Sequence, residues 1–355
     1  MAYILCIIKK RIFLDLNALF IFNLMNKALF FFFILIIQLF SFSSFSQING
    51  VSFVAPAREI GSKEIKLPKT VINANYISIM PYGFIPEEGT EIQFNSESQW
   101  WGEKESGTVK TIQLAKAAGY KVMLKPHVWK RHGSYTGHHT YSKESNWKAF
   151  EESFSNYILH FAKIAEASKT EVFCVGTEWE RFALQRPNFW FQLIKDVKQV
   201  YQGKVTYAAN WDEYKRISFW KELDYIGVDA YFPLIDSKTP SAEDIISALA
   251  PYKKELKTLS EKVDKPIIFT EFGYRSRDKT AEKPWESDRA GEVNLTAQNS
   301  AYLGFFTTFW NEDFIAGGFL WKWFANYESV GGSQHNGFTP QNKPAEKIIK
   351  KWYSK

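Results

Sequence analysis

Cysteine is nearly absent, with only Cys6 and Cys174 in a chain of 355 residues. Two thiols cannot build a disulfide framework or a four-cysteine zinc site, so both classes are excluded. A surplus of one charge is also missing. Lys and Arg number 44 against 38 Asp and Glu, net +6 with neutral histidines, and the basic residues are not clustered as a nucleic-acid partner requires. No Gly-rich phosphate fingerprint follows the first candidate strand, and Gly176-Thr177-Glu178 has no accompanying G-x4-G-K pattern. Beyond residue 46 there is no internal repeat, no low-complexity tract and no Pro/Gly/Ser linker. Aromatic residues are abundant instead: 13 Trp, 17 Tyr and 31 Phe, more tryptophan than a core needs.

The one long apolar run lies at residues 28–46, ALFFFFILIIQLFSFSSFS, after Met25-Asn26-Lys27. A basic start, an apolar stretch and small residues Ser44 and Ser46 have the parts of a secretory signal. The expectation is cleavage near Ser46–Gln47, with Met25 as the true start and a secreted or periplasmic product. A membrane anchor is the rival reading of the same run. Without residues 1–46 the chain keeps 309 residues, 40 basic and 37 acidic, and Cys174 as its one thiol. That length suits one large α/β domain over residues 47–355, stable without disulfides and with no membrane span.

Short apolar runs then alternate with amphipathic stretches. Strands are expected at 51–54, 74–80, 121–126, 172–177, 205–210, 225–231, 266–271 and 315–321, with helices such as 108–118, 147–167, 189–201 and 242–262 between them. Eight strands with intervening helices predict a single (β/α)8 TIM barrel. Polar and aromatic residues collect where these strands end: Lys125, His127 and Trp129; Glu178; Asn210 and Trp211; Asp229 and Tyr231; Glu271 and Tyr274; Trp321 and Trp323. Strand ends of a barrel converge on one face, where active sites are built. Alternation predicts inward columns Cys174-Gly176-Glu178, Ile267-Phe269-Glu271, Gly227-Asp229-Tyr231 and Gly317-Phe319-Trp321.

Glu178 and Glu271, on opposed strands, are the minimum equipment for glycoside hydrolysis: one carboxyl protonates the leaving oxygen while the other attacks the sugar. Each could equally be a strand-end ion-pair partner, a reading the surrounding Trp, Tyr, His and Asn weaken. Tryptophans outside the helical core pattern, Trp100-Trp101, Trp129, Trp211, Trp321 and Trp323, are placed to stack on sugar rings. His132, His138 and His139 lack the helical H-E-x-x-H spacing, so no metal is expected. Cys174 has no histidine to activate it and reads as core filling.

The blocks PYGF (81–84), WWGE (100–103), KVMLKPHVW (121–129), FCVGTEWERF (173–182), VTYAANWDEY (205–214), DYIGVDAYFP (224–233), PIIFTEFGY (266–274) and GGFLWKWF (317–324) together resemble glycoside hydrolase family 113, over essentially all of residues 50–355. That resemblance implies a retaining clan A endo-β-1,4-mannanase on a (β/α)8 barrel, without a cofactor. It implies Glu178 as acid/base, Glu271 as nucleophile, Tyr231 as a hydrogen-bond donor to the nucleophile and Trp321 as the floor under the sugar to be cleaved. From their places at strand ends and in loops, Lys125, His127, Trp129, Asn210, Trp211, Asp229, Tyr274, Trp323 and Trp101 are expected to line the substrate. The commoner clan pattern has Asn before the acid/base, where this chain has Thr177, leaving Asn210 or His127 to take the 2-hydroxyl contact. Hydrolysis of another β-linked polysaccharide, or a silent carbohydrate-binding barrel, are the competing readings.

Overall fold

The computed structural model describes residues 47–86, 89–130, 134–286 and 290–355. The leader expected over 1–46 lies outside them, as does His132. Eight parallel strands close into a barrel: β1 (Ile48–Phe53), β2 (Tyr76–Ile79), β4 (Lys121–Leu124), β6 (Val172–Thr177), β7 (Lys204–Asn210), β8 (Ile226–Asp229), β9 (Ile267–Phe272) and β10 (Ile315–Trp323), which pairs back to β1. Around them run α1 (Ser62–Ile72), α2 (Glu105–Ala117), α3 (Glu144–Ala167), α4 (Glu180–Gln185), α5 (Pro187–Val200), α6 (Ala242–Val263), α7 (Leu295–Phe309) and α8 (Ala345–Tyr353). The TIM barrel read from the sequence is therefore the observed fold. No helix among the described residues is long and apolar enough to cross a membrane.

Helix ends follow local chemistry. Ser241 accepts from the Asp244 amide while the Asp244 carboxylate accepts from the Ser241 amide, a reciprocal box that starts α6. Asn294 caps α7 by accepting from the Ala297 amide at 2.9 Å. On α3, Phe150, Phe154, Tyr157 and Phe161 recur at helical spacing and are all fully buried, which commits that face to the barrel wall.

The apolar interior forms two layers. The larger lies between strands and helices; the smaller fills the barrel with Ile48, Tyr76, Met123, Val172, Tyr225, Ile268 and Phe319. Phe319 packs so closely over Gly50 that a Cβ there would meet its ring at 2.4 Å.

Two strands outside the barrel were not anticipated. Beyond Pro81 and Pro126 the chain re-forms a parallel pair, β3 (Tyr82–Ile85) against β5 (His127–Lys130). Each proline interrupts a barrel strand, and its continuation leaves the cylinder as a raised flap on one side of the mouth.

The inward columns hold for β8 and β10 but fail for β9 and part of β6. Ile267 and Phe269 face the helices, and Ile268 points into the barrel. Glu271 reaches the interior because β9 carries one extra residue: Val228 pairs with Phe269, yet Asp229 pairs with Glu271. β6 is bulged in the same way between Cys174 and Thr177, and a Cβ on Gly176 would strike Trp190 on the helix side at 2.6 Å. Bulges at both strand ends re-aim the two glutamates.

Candidate active site

Glu178 follows the β6 bulge in left-handed backbone, φ 54°, unusual for a residue with a Cβ. Its amide donates to Ala208 O at 2.8 Å, and its carbonyl accepts from Thr136 Oγ1 at 3.2 Å. Burial, then the charges of Asp229 and Glu271, push its carboxyl well above the usual range, with Lys125 acting in the opposite direction. Glu178 is thus biased towards its protonated form.

Glu271 has the opposite surroundings. Lys125 Nζ donates to its Oε1 at 2.6 Å and the Tyr231 hydroxyl to its Oε2 at 2.8 Å. Burial would strip Lys125 of its proton, but the Asp229 and Glu271 carboxylates raise it above the ordinary value. Asp229 lies 3.3 Å from Lys125 Nζ and accepts from Thr270 Oγ1 at 2.6 Å. Burial and the Glu271 charge raise the Asp229 carboxyl. Burial first, then Glu271, keep the Tyr231 phenol protonated and therefore a donor. Two acids around one ammonium, with a phenol on the far oxygen, leave Glu271 oriented from two directions.

His127 opens the side of the site towards the flap. Its Nε2 stands 3.7 Å from Glu271 Oε1 and has no hydrogen-bond partner among the described residues. Burial and Lys125 hold the imidazole well below its usual value, so it is neutral. The ring lies parallel to Trp321, centroids 6.4 Å apart, and against Tyr82 at 5.2 Å. Beyond it a cleft of about 760 Å³ is lined by Tyr82, Trp100, Trp129, Gln99, Glu103 and Lys322, among others. Trp100 and Trp129 are more than half exposed, an unusual state for indoles. On the Glu178 side, Asn210 donates to the Tyr135 hydroxyl at 2.9 Å, and Trp211 stacks on Trp285 at 5.2 Å.

Several expected contacts are corrected. Tyr274 and Trp323 are fully buried core residues, packed on Tyr302 and Tyr327 respectively. Their places in β9 and β10 and just beyond turn them towards the helices. Lys125 and Asp229 are also fully buried, so they support Glu271 from beneath rather than meet a ligand. Trp101 packs against the core, and its neighbour Trp100 lines the cleft. His139 sits in an aromatic box of Tyr141, Trp147, Phe150 and Trp179. Among the described residues no group of three His, Cys, Asp or Glu could hold a metal ion.

Sequence reasoning missed Tyr82, Tyr135, Trp285, Lys322 and Glu213. Tyr82 had a signal in the repeated strand-then-proline pattern of Pro81 and Pro126. Glu213 lies in a turn without periodicity and gave none.

Known proteins point the same way as this geometry. The model of Glycoside Hydrolase Family 113 matches residues 59–343. A solved complex of a family 113 β-1,4-mannanase superposes with a TM-score of 0.76 at 26% identity, over 87% of this chain and 99% of that one. The family 113 β-mannanase AaManA from Alicyclobacillus acidocaldarius, in complex with ManMIm, gives 0.77 at 25% identity, over 88% and 99%. A β-glucuronidase from Ruminococcus gnavus, at 13% identity and TM-score 0.58, shares the fold alone, and this chain spans half of it. None of the curated proteins matches the chain. With a family match over most of its length and two unlike carboxyl groups in the barrel mouth, the chain belongs to glycoside hydrolase family 113 and is a glycoside hydrolase.

Proposed function

We propose that the protein is a retaining endo-β-1,4-mannanase acting on mannan or glucomannan by double displacement. One observation carries this reading: Glu178 is pushed towards its protonated form while Glu271 is gripped by Lys125 and Tyr231. Two carboxyls with divergent environments divide into an acid and a nucleophile.

In the first step Glu271 attacks the anomeric carbon and Glu178 gives its proton to the departing glycosidic oxygen. The glycosyl-enzyme ester relieves Glu271 of its charge, and the proton lost by Glu178 leaves a base nearby. Water enters, Glu178 removes its proton, and attack on the anomeric carbon frees the sugar with net retention. The neutral His127 Nε2, without a hydrogen-bond partner among the described residues and close to Glu271, is placed to donate to a hydroxyl of the reacting sugar. Trp321, parallel to it, supplies the stacking face. Sugars attached to the one held over Glu271 extend towards Tyr82, Trp129 and Trp100, and the leaving portion passes Tyr135 and Trp211. The expected leader over 1–46 makes the working enzyme an exported one, which N-terminal sequencing of the cellular product checks.

Residues 47–355 incubated with β-1,4-mannan, glucomannan and β-glucan test the substrate by chromatography of the products. A ladder of short manno-oligosaccharides, first released as the β-anomer by NMR, is the expected result. Products from β-glucan alone would transfer the same mechanism to another polymer. Release of the α-anomer first would replace double displacement by inversion. Glu271→Ala should remove turnover, since no nucleophile remains; substantial turnover would end the assignment.

A further inference from the structure

Glu213, in the turn after β7, is a fully buried carboxylate that the mechanism above does not use. Both of its oxygens bind β7, and one of them reaches the end of β6 through a tyrosine. Oε1 accepts from the Tyr207 hydroxyl at 2.5 Å, and that hydroxyl accepts in turn from the Trp179 amide at 2.8 Å. Oε2 accepts from the Asn210 amide at 3.1 Å, and Asn210 donates onward to Tyr135. Trp179 directly follows Glu178, whose left-handed backbone is held on its other side by the bond to Ala208 O. The peptide between Glu178 and Trp179 is therefore pinned from both ends by β7 and its turn.

The hydrogen-bond inventory fixes the chemistry of this link. Glu213 accepts from both donors, and the Tyr207 oxygen accepts the Trp179 N–H while giving its own proton away. A hydrophobic residue in place of either partner strands a buried amide. We propose that Glu213 is a positioning residue for Glu178, acting through the Tyr207 hydroxyl and the Trp179 amide. This rests on the acid/base role of Glu178 proposed above.

Acids and phenols from several elements surround this carboxyl. Glu178 and Glu180 face it from the β6 end, Tyr207 from β7, Asp229 from β8 and Tyr135 from the segment after β5. Glu180 is neutralised by Arg216 of the same turn as Glu213. Burial, offset by Tyr207 and the Asn210 amide, raises the Glu213 carboxyl to about 8.

Leaving groups separate positioning from mere stability. Proton donation matters for a sugar alcohol and little for 2,4-dinitrophenolate, which departs unaided. Glu213→Gln and Tyr207→Phe are compared with the unaltered chain on β-1,4-mannotetraose and on 2,4-dinitrophenyl β-mannobioside, or on the glucose counterparts if β-glucan is the polymer cleaved. The expected result is a loss in kcat/KM, which excludes the second step where Glu178 is the base, about 10-fold to 100-fold larger on the tetrasaccharide than on the dinitrophenyl glycoside, the scale that misplacing a reacting group produces. Tyr207→Phe keeps the carboxylate and covers the case in which Glu213→Gln fails to fold. Equal losses on both substrates, with a lowered melting temperature, would overturn the proposal. Glu178→Ala run alongside separates the two readings. If it also loses both substrates equally, the acid/base role of Glu178 falls and takes the proposal with it; if it spares the dinitrophenyl glycoside while Glu213→Gln does not, only the role of Glu213 falls.

Discussion

At the scale of single residues, the ammonium of Lys125 is where stability and activity meet. It is fully buried and touches Asp229 and Glu271, so replacing it leaves two acids facing each other without a cation. Lys125→Met should cost about 3–5 kcal/mol of unfolding free energy, the usual result of breaking a buried ion pair by removing one partner. Adding Asp229→Asn should return part of that loss, because one of the stranded charges goes with it. Denaturant midpoints check both, and additive losses would show that the three groups are not coupled. The sequence placed Glu178, Glu271 and Tyr231 at their strand ends because a polar residue after an apolar run is conspicuous. It could not separate Lys125 and Asp229 from ligand contacts. A buried lysine and an exposed one look the same in one dimension, and the difference here lies in acids 104 and 146 residues away.

Among elements, the β3–β5 flap shapes the cleft more than any barrel strand does. Trp129 lies on β5, Tyr82 on β3 and Trp100 in the turn before α2, so the cleft wall is built from one raised side of the mouth. Trp129→Ala and Trp100→Ala should each raise KM for long polymer about 3-fold to 10-fold, as losing an aromatic stacking face of roughly 1 kcal/mol implies. The increase should be larger for polymer than for a disaccharide glycoside, a comparison of initial rates on the two substrates. Equal increases would remove the cleft from the path of the sugar chain. The barrel strands were legible from apolar runs, to within a few residues. The flap was not, because four-residue strands with aromatic and basic members carry no clean alternation. The two bulges were equally silent, although they decide which way both glutamates face; they arise from pairing register, which a single strand does not record.

For the molecule as a whole, buried groups held away from their usual protonation set how stability follows pH. Burial, with a smaller push from Lys130, lowers the His139 imidazole to about 4 from 6.5. The folded state thus favours neutral histidine, so this contribution is complete above pH 6.5 and is lost as pH falls towards 4. Unfolding at pH 4 should lose up to about 3 kcal/mol on this account, and His139→Phe should flatten that limb. Melting curves of both chains between pH 4 and 8 check the sign, and parallel curves would assign the acid limb to other groups. The barrel class itself was readable from the order and number of apolar runs. The filling of its interior by one residue each from β1, β2, β4, β6, β9 and β10, with Tyr225 just before β8, became visible only with the strands in place.

Cys174, set within that interior on β6, has one more consequence. Burial first, against the pull of Lys125, lifts its thiol to about 11, and no part of the residue is exposed. In residues 47–355 there is no other thiol. An alkylating reagent can consume it only when the cylinder itself parts, so the residue is a built-in clock: its rate of labelling counts the openings of the barrel, one molecule at a time.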